Sequence, residues 1–468
     1  MTLNPGDFGA SFKGFLDQMA SEATPKEEPV FLKRMREHFE EDPSTLPIIT
    51  ETFDEHEHPD FHLSLDHYIG ENDRSADILG VIVSDFGANS LSDLVSKSKG
   101  GLLGGMGGAT EGPVQYLNIE AGDGRVITCV KSGLYLITDG NERLVAYLHA
   151  GSDRLFQKGK LEVMAKNRQT AERFHSQLRK IRRKESIYRG HIISLGVKDH
   201  RSLQVLFHHL PMISRNDIVL PTGLLERIER QSLGFANHSE KLLAAGRHLK
   251  RGILLHGKPG TGKTLTAMYL AREMANRTVI LLTGRSLALI EQSCALARLL
   301  QPSMVVLEDV DLVAEERTRT EGRATPLLFE LLNQMDGLQD DADILFVLTT
   351  NRPDILEPAL AARPGRIDQA FEVPLPNRES RERLFGLYGK GLKQTIENTD
   401  KFIEKTEGAS PAFIRELFRK AALFAAEGKD EIVVEDRHMD EALHELTVDG
   451  GELTKSILGF QNPDGTKT

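Results

Sequence analysis

Residues 257–264, GKPGTGKT, follow the apolar run ILL at 253–255 and open a segment of helical character that continues to about residue 275. A strand, a glycine-rich turn and a helix in that order make a phosphate-binding loop. Glycines leave the backbone room to point several N–H groups inward, and the helix N-terminus adds the positive end of its dipole. Lys263 supplies a fixed cation for β and γ phosphates, and the Thr264 hydroxyl has the right length to ligate a phosphate-bound Mg²⁺. The candidate triphosphate-binding residues are therefore Gly257, Lys258, Pro259, Gly260, Thr261, Gly262, Lys263 and Thr264, with ATP and Mg²⁺ as the expected cofactors. Without its flanking strand and helix the same loop would read as an ordinary turn.

Aiming such a loop at a reacting phosphate takes a sheet. Apolar β-rich runs recur at residues 278–284, 303–311, 344–351 and 369–376, separated by helical segments, which predicts a parallel α/β sheet. Ligands of such sheets lie outside the carboxyl ends of the strands. The run LEDVD puts Glu308 and Asp309 at one of those ends, and Asn351 closes another. Two later segments, NRESRERLFGLYGKG and SPAFIRELFRKAALFAAE, read as a smaller helical lid. In the second, Ser410-Pro411 is a cap and first-turn pair, and Ile414, Leu417, Ala421 and Phe424 share one face.

GKPGTGKT, LEDVD, LLNQMDGL, TTNRPDILEPAL and RPGRID, in this order, resemble the core AAA family of the AAA+ ATPases, with a Cdc48/Bcs1-like core over residues 216–446. The resemblance implies a P-loop NTPase sheet with a C-terminal helical lid, and it implies ATP hydrolysis. It places Glu308 and Asp309 on the family's acid pair. There Asp usually comes first, holding Mg²⁺ through water, and Glu second, polarising the attacking water. The order is reversed here, as it also is in the Bcs1-like branch, so Glu308 takes the metal position and Asp309 the base position. Carboxylates one methylene longer and shorter can still serve both tasks, though the swap could slow hydrolysis. Asn351 matches the sensor that holds the water or γ-phosphate. Arg363 and Arg366 match the two arginines that a neighbouring subunit inserts as fingers, a task suited to permanently charged, bidentate guanidinium groups. The implied catalytic set is thus Asp309, Asn351, Arg363 and Arg366, shared between copies of a homohexamer. Gly408-Ala409-Ser410 stands at the lid turn that faces nucleotide.

Composition bounds the rest. A chain of 468 residues exceeds a single core, and the net charge of −11 argues against whole-surface binding to nucleic acid or anionic lipid. With two cysteines, Cys129 and Cys294, in segments assigned to different domains, a disulfide is not expected and a cytoplasmic setting is. The first residues lack the pattern of an export signal, and no apolar run is long enough to span a bilayer. Residues 1–112 are poorly marked, apart from an amphipathic helix carrying Phe31, Met35 and Phe39 and a glycine-dense loop at 98–113. Residues 113–205 read as an α+β domain: an antiparallel meander of about four strands between 114 and 148, with GDG, KSG and DGN as turns, then a basic helix at 166–185 and a strand near 188–194. Residues 206–222 form a linker, 223–376 the large ATPase domain, 377–449 the lid, and 450–468 a polar, flexible tail.

What the hydrolysis drives is less legible. Family members that thread proteins carry an aromatic-glycine loop between the second and third strands, but residues 284–302 hold no aromatic residue. Leu289 and Ile290 read either as a weak grip or as helix-on-sheet packing. The leading expectation is remodelling or translocation of protein substrates, chosen by residues 1–205 acting as an adaptor site. The alternative is an ATP-dependent oligomeric switch or scaffold with low turnover. A nucleic-acid motor comes third, since it rests on the basic helix alone.

Overall fold

The structure, a computed structural model, describes residues 29–82, 90–96, 110–151, 158–198, 202–274, 276–311, 327–336, 342–354, 367–427, 431–449 and 459–460. These fall into two compact units, one running up to Ile187 and including Val197–Gln204, the other comprising Tyr188–Gly196 and the chain from Val205 onward.

In the first unit the strands are β1 (Ile48–Phe53), β2 (Ser75–Ile82), β3 (Thr110–Gly112), β4 (Gln115–Glu120), β5 (Val126–Asp139), β6 (Glu142–His149) and β7 (Gly159–Ala165). They form one sheet in the order β1-β7-β6-β5-β2-β3, with β4 also on β5, and every pair is antiparallel. Its helices are α1 (Val30–Phe39), α2 (His58–Gly70) and α3 (Arg168–Glu185), besides a short turn of helix at Leu91–Ser96. Alternation along β5 sends Tyr135 and Ile137 into a core with Phe61, Leu65, Phe174 and Leu178 of α2 and α3. Leu134 and Leu136 go to the opposite face, against Phe31, Met35 and Phe39 of α1. Burial on both faces explains why the central strands are so uniformly apolar.

Two expectations change here. Lys131-Ser132-Gly133 is not a turn but a bulge inside the 14-residue β5, where the partner register jumps from Gln115↔Ser132 to Tyr116↔Val130. Residues 114–148 therefore hold three strands, and the next, β7, comes later. The poorly marked stretch before residue 113 also supplies β1, β2 and β3 of the same sheet; β1, ITETF-like and half-polar, carries too weak an alternation to stand out. The part of the glycine-dense loop at 98–109 lies outside the described residues. Helix α3 begins with Asn167 accepting from the Thr170 N–H at 2.9 Å. Its arginines are engaged within the unit: Arg182 lies over the Phe61 ring and donates to Glu51, and Arg179 donates to the same carboxylate.

The other large sheet contains β8 (Ile192–Lys198), β9 (Ser202–Phe207), β10 (Arg251–His256), β11 (Thr278–Leu282), β12 (Ser303–Leu307), β13 (Ile344–Thr350) and β14 (Gln369–Glu372), in the order β14-β10-β13-β12-β11-β8-β9. The five pairings from β14 to β8 are all parallel, with the loop-bearing strand β10 between β13 and β14. The strand expected near 188–194 falls four residues later and pairs through Ile192 and Ile193 with Val279 and Ile280. Helices α4 (Lys263–Glu273) and α5 (Ile290–Leu299) belong to the sheet layer. Ile290 is buried in α5, which favours packing over a substrate grip. The lid consists of α6 (Arg378–Tyr388), α7 (Thr399–Lys405), α8 (Pro411–Ala426) and α9 (Asp436–His444), with the small pair β15 (Lys393–Thr395) and β16 (Val433–Glu435). Its core gathers Phe402, Phe413, Ile414, Leu417, Ala421 and Met439, whereas Phe424 is only partly buried. Among the described residues no helix is long and apolar enough to cross a membrane, and both cysteines are buried free thiols.

Candidate active site

The loop after β10 is shaped by what it cannot hold. Gly257 has φ +150°, and a Cβ there would collide with the Val373 carbonyl beyond β14. Gly260 approaches the lid so closely that a Cβ would stand 2.7 Å from Ser410 Oγ and 2.9 Å from Ala412 Cβ. Lys263 opens α4, and its ammonium turns back to donate to the carbonyls of Gly257 (2.9 Å) and Lys258 (2.8 Å). Burial brings its pKa down to about 8, against the pull of Asp309 and Asp311. Thr261 donates to the Lys258 carbonyl at 2.9 Å, which closes the turn.

Opposite the loop stand the ends of β12 and β13. The Glu308 carboxylate accepts from the Thr264 hydroxyl, and burial together with the neighbouring Asp309 charge raises its pKa. One of its oxygens, Oε1, is buried without a hydrogen-bond partner. Asp309 has φ +49°, a left-handed backbone uncommon for a residue with a side chain. Its N–H donates to Thr349 Oγ1 at 3.1 Å, and its carboxylate accepts from Asn351 Nδ2 at 3.2 Å. The structure thus brings Lys263, Thr264, Glu308, Asp309 and Asn351 to the carboxyl edge of one sheet. Arg363 and Arg366 lie outside the described residues.

Three contributions went unassigned in the sequence. Asp311 is buried and accepts from Thr350 Oγ1 (2.8 Å) and from the Asn351 N–H (3.2 Å), so it fixes the backbone from which Asn351 projects. Its signal was the third acid of LEDVD. Thr349 anchors the strained Asp309, with no signal beyond its place in TTN. The third is a pocket beside the loop, lined by Ile218 and Val219 of the segment read as a linker, by Leu265 of α4, and by Leu384, Tyr388 and Pro411 of the lid. Buried Ile218, Val219 and Leu220 are too apolar a run for a solvated connector, and that was the available sign.

Acids at the strand ends have the chemistry for a hard cation. Among the described residues no three His, Cys, Asp or Glu side chains converge as a metal cage. Mg²⁺ does not need one, since it binds through one or two carboxylates, a hydroxyl, waters and substrate phosphates. The partnerless Glu308 oxygen beside Thr264 fits that requirement.

Residues 253–375 match the ATPase family associated with various cellular activities (AAA). The proteasome-activating nucleotidase of Thermococcus onnurineus is 34% identical over 240 residues, covering 48% of this chain and 60% of that protein. The 26S proteasome regulatory subunit S10B homolog B of Arabidopsis thaliana is 32% identical over 213 residues, covering 43% of this chain and 53% of its own length. The ATP-dependent zinc metalloprotease FtsH of Mycoplasmopsis pulmonis is 33% identical over 250 residues, covering 50% of this chain and 34% of that protein. The chain therefore spans 60% or less of these curated relatives. The family match starts on β10 and ends just past β14, so the part of this chain that is similar to the AAA family is the part whose strands carry the loop, the acids and Asn351.

Proposed function

We propose that the second unit binds and hydrolyses Mg·ATP and that the turnover drives remodelling or translocation of protein substrates. The observation that carries the catalytic part is the buried, partnerless oxygen of Glu308, set beside the Thr264 hydroxyl and across from the Lys263 loop. Glu308 and Thr264 would hold the Mg²⁺, which when bound neutralises charge on the β and γ phosphates. Lys263 leaves its two loop carbonyls for the phosphate oxygens, exchanging neutral acceptors for charged ones. Asp309, oriented by Asn351, takes the proton of the attacking water. Ile218, Leu265 and Tyr388 beside the loop would offer the base an apolar surface.

Protein remodelling is supported by the names of the relatives, two of which are proteasome-associated and one an ATP-dependent protease. Arg363 and Arg366 come from the family pattern and imply a ring, hexameric as the resemblance suggests, in which each site is completed by its neighbour. The first unit would select the substrate or adaptor. Nucleic acid is disfavoured because Arg179 and Arg182 of the basic helix already pair with Glu51.

Phosphate release at saturating Mg·ATP tests this reading. Steady turnover that disappears in Lys263→Ala supports it, and turnover indifferent to Lys263→Ala overturns it. Arg363→Ala and Arg366→Ala should keep ATP binding and lose turnover; full turnover in both would sink the shared site. Asp309→Asn, holding ATP uncleaved, is the variant with which to capture substrates.

A further inference from the structure

We propose that Gly459 and Phe460 form a clamp that positions the phosphate loop against lid helix α8, so that these two residues help set the affinity for Mg·ATP. The proposal rests on the nucleotide reading of the site. Residues 450–468 were expected to be a flexible polar tail, yet Gly459 is buried and the Phe460 ring packs on Phe413 of α8, with centroids 4.9 Å apart and planes 31° from parallel. Phe460 thereby adds to the apolar core of the lid. Gly459 has φ +70°, and a Cβ on it would collide with the carbonyl of Pro259 in the loop and come within 3.1 Å of Ser410 Cβ.

Ser410 is therefore approached by two glycines from distant parts of the chain, Gly260 and Gly459. Its own orientation is fixed, because Ser410 Oγ accepts the Phe413 N–H at 3.1 Å as the cap of α8. Only residues lacking a Cβ allow three backbones to meet around one serine.

The consequence for the loop follows from peptide planarity. In a trans peptide the C=O and the next N–H point in opposite directions. The Pro259 carbonyl faces Gly459, and the Gly260 carbonyl accepts the Ala412 N–H at 3.2 Å. Two successive peptide planes are thus pinned from the lid side, and the N–H groups of Gly260 and Thr261 are turned away from it. These are amides of the cradle itself, so the residues that hold their planes in place act on phosphate affinity through the loop and are positioning residues. Phe460 anchors the clamp and Gly459 makes the contact.

The test uses the full chain and follows Mg·ATP by calorimetry and by steady-state turnover in Phe460→Ala, Gly459→Val, Phe460→Tyr and Lys263→Ala. Phe460→Ala and Gly459→Val should each weaken Mg·ATP binding and raise KM by about fivefold to tenfold, with kcat held within about twofold. Phe460→Tyr, which keeps the ring, should restore wild-type KM, as a purely destabilising lesion would not distinguish affinity from turnover in this way. Melting without nucleotide monitors the fold; if Phe460→Ala unfolds the lid, Gly459→Val carries the test, since it removes no packed side chain. Unchanged KM in Gly459→Val, or a loss confined to kcat, overturns the clamp. Wild-type binding that depends on Lys263 while both clamp variants match wild type overturns the clamp alone, whereas no binding by wild type sinks the nucleotide reading and the clamp with it.

Discussion

Two half-buried carboxylates, one in each unit, show the same chemistry resolved in opposite ways. Glu51, on β1, would be pushed up by burial, but the His175 hydrogen bond and the Arg182 and Arg179 charges outweigh that and hold it at about 2. Every neighbour of that carboxylate on α3 is a donor. Glu308, at the end of β12, is raised by burial and by Asp309, and it keeps an oxygen with no partner. A buried acceptor left unmet costs about 1–3 kcal/mol, and the strained φ of Asp309 adds to that. Satisfied charge marks a place where the fold needs strength. Unsatisfied charge at the carboxyl edge of a parallel sheet marks a place that is completed by something from outside the chain.

The contrast can be tested from its strongest consequence to its weakest. Asp309→Asn should cut phosphate release by about a hundredfold or more while ATP still binds, because it removes the proton acceptor and keeps the shape; a turnover within a few-fold of wild type would remove Asp309 from the chemistry. Arg182→Ala in the first unit leaves Glu51 short of its main partner and should destabilise that unit by about 2–3 kcal/mol in urea melts, with nucleotide affinity untouched.

The two carboxylates should also respond to acid with opposite signs. Because the folded pKa of Glu51 lies below its unfolded value, its contribution is complete above about pH 4.5 and is lost as pH falls toward 2, a decline that Glu51→Gln should flatten. Glu308, raised in the fold by burial and by Asp309, penalises the nucleotide-free second unit once ionised, so Glu308→Gln should stabilise that unit at neutral pH. Denaturant melts at several pH values, read with a probe in each unit, would separate the two slopes. The smallest effect belongs to Arg179→Ala: the Arg179 side chain is 62% exposed, and its loss should change stability by no more than about 0.5 kcal/mol.

How much of this was legible beforehand depended on whether a residue's neighbours in sequence were also its neighbours in space. The loop at 257–264 could be read almost completely, because strand, turn and helix are contiguous and glycine is demanded by local backbone geometry. The parallel order of β10 to β14 followed from apolar runs ending in polar residues. Lys131-Ser132-Gly133 misled because a bulge and a turn use the same residue types, and only the partner strand β4 decides between them. Glu51 gave no sign at all: its three partners lie on α3, more than a hundred residues away. The pocket wall at Ile218 and Val219 and the docking of Phe460 on Phe413 were hidden for the same reason, since short apolar segments in polar surroundings do not announce what they pack against.

The most direct measurement is a calorimetric titration of ATP, with and without Mg²⁺, into the wild-type chain and Glu308→Gln. If the partnerless oxygen of Glu308 completes a metal-bound triphosphate site, Mg²⁺ should tighten ATP binding to wild type by about tenfold or more and should do little for the variant. Equal affinities across all four titrations, or a gain from Mg²⁺ that survives intact in Glu308→Gln, would contradict it.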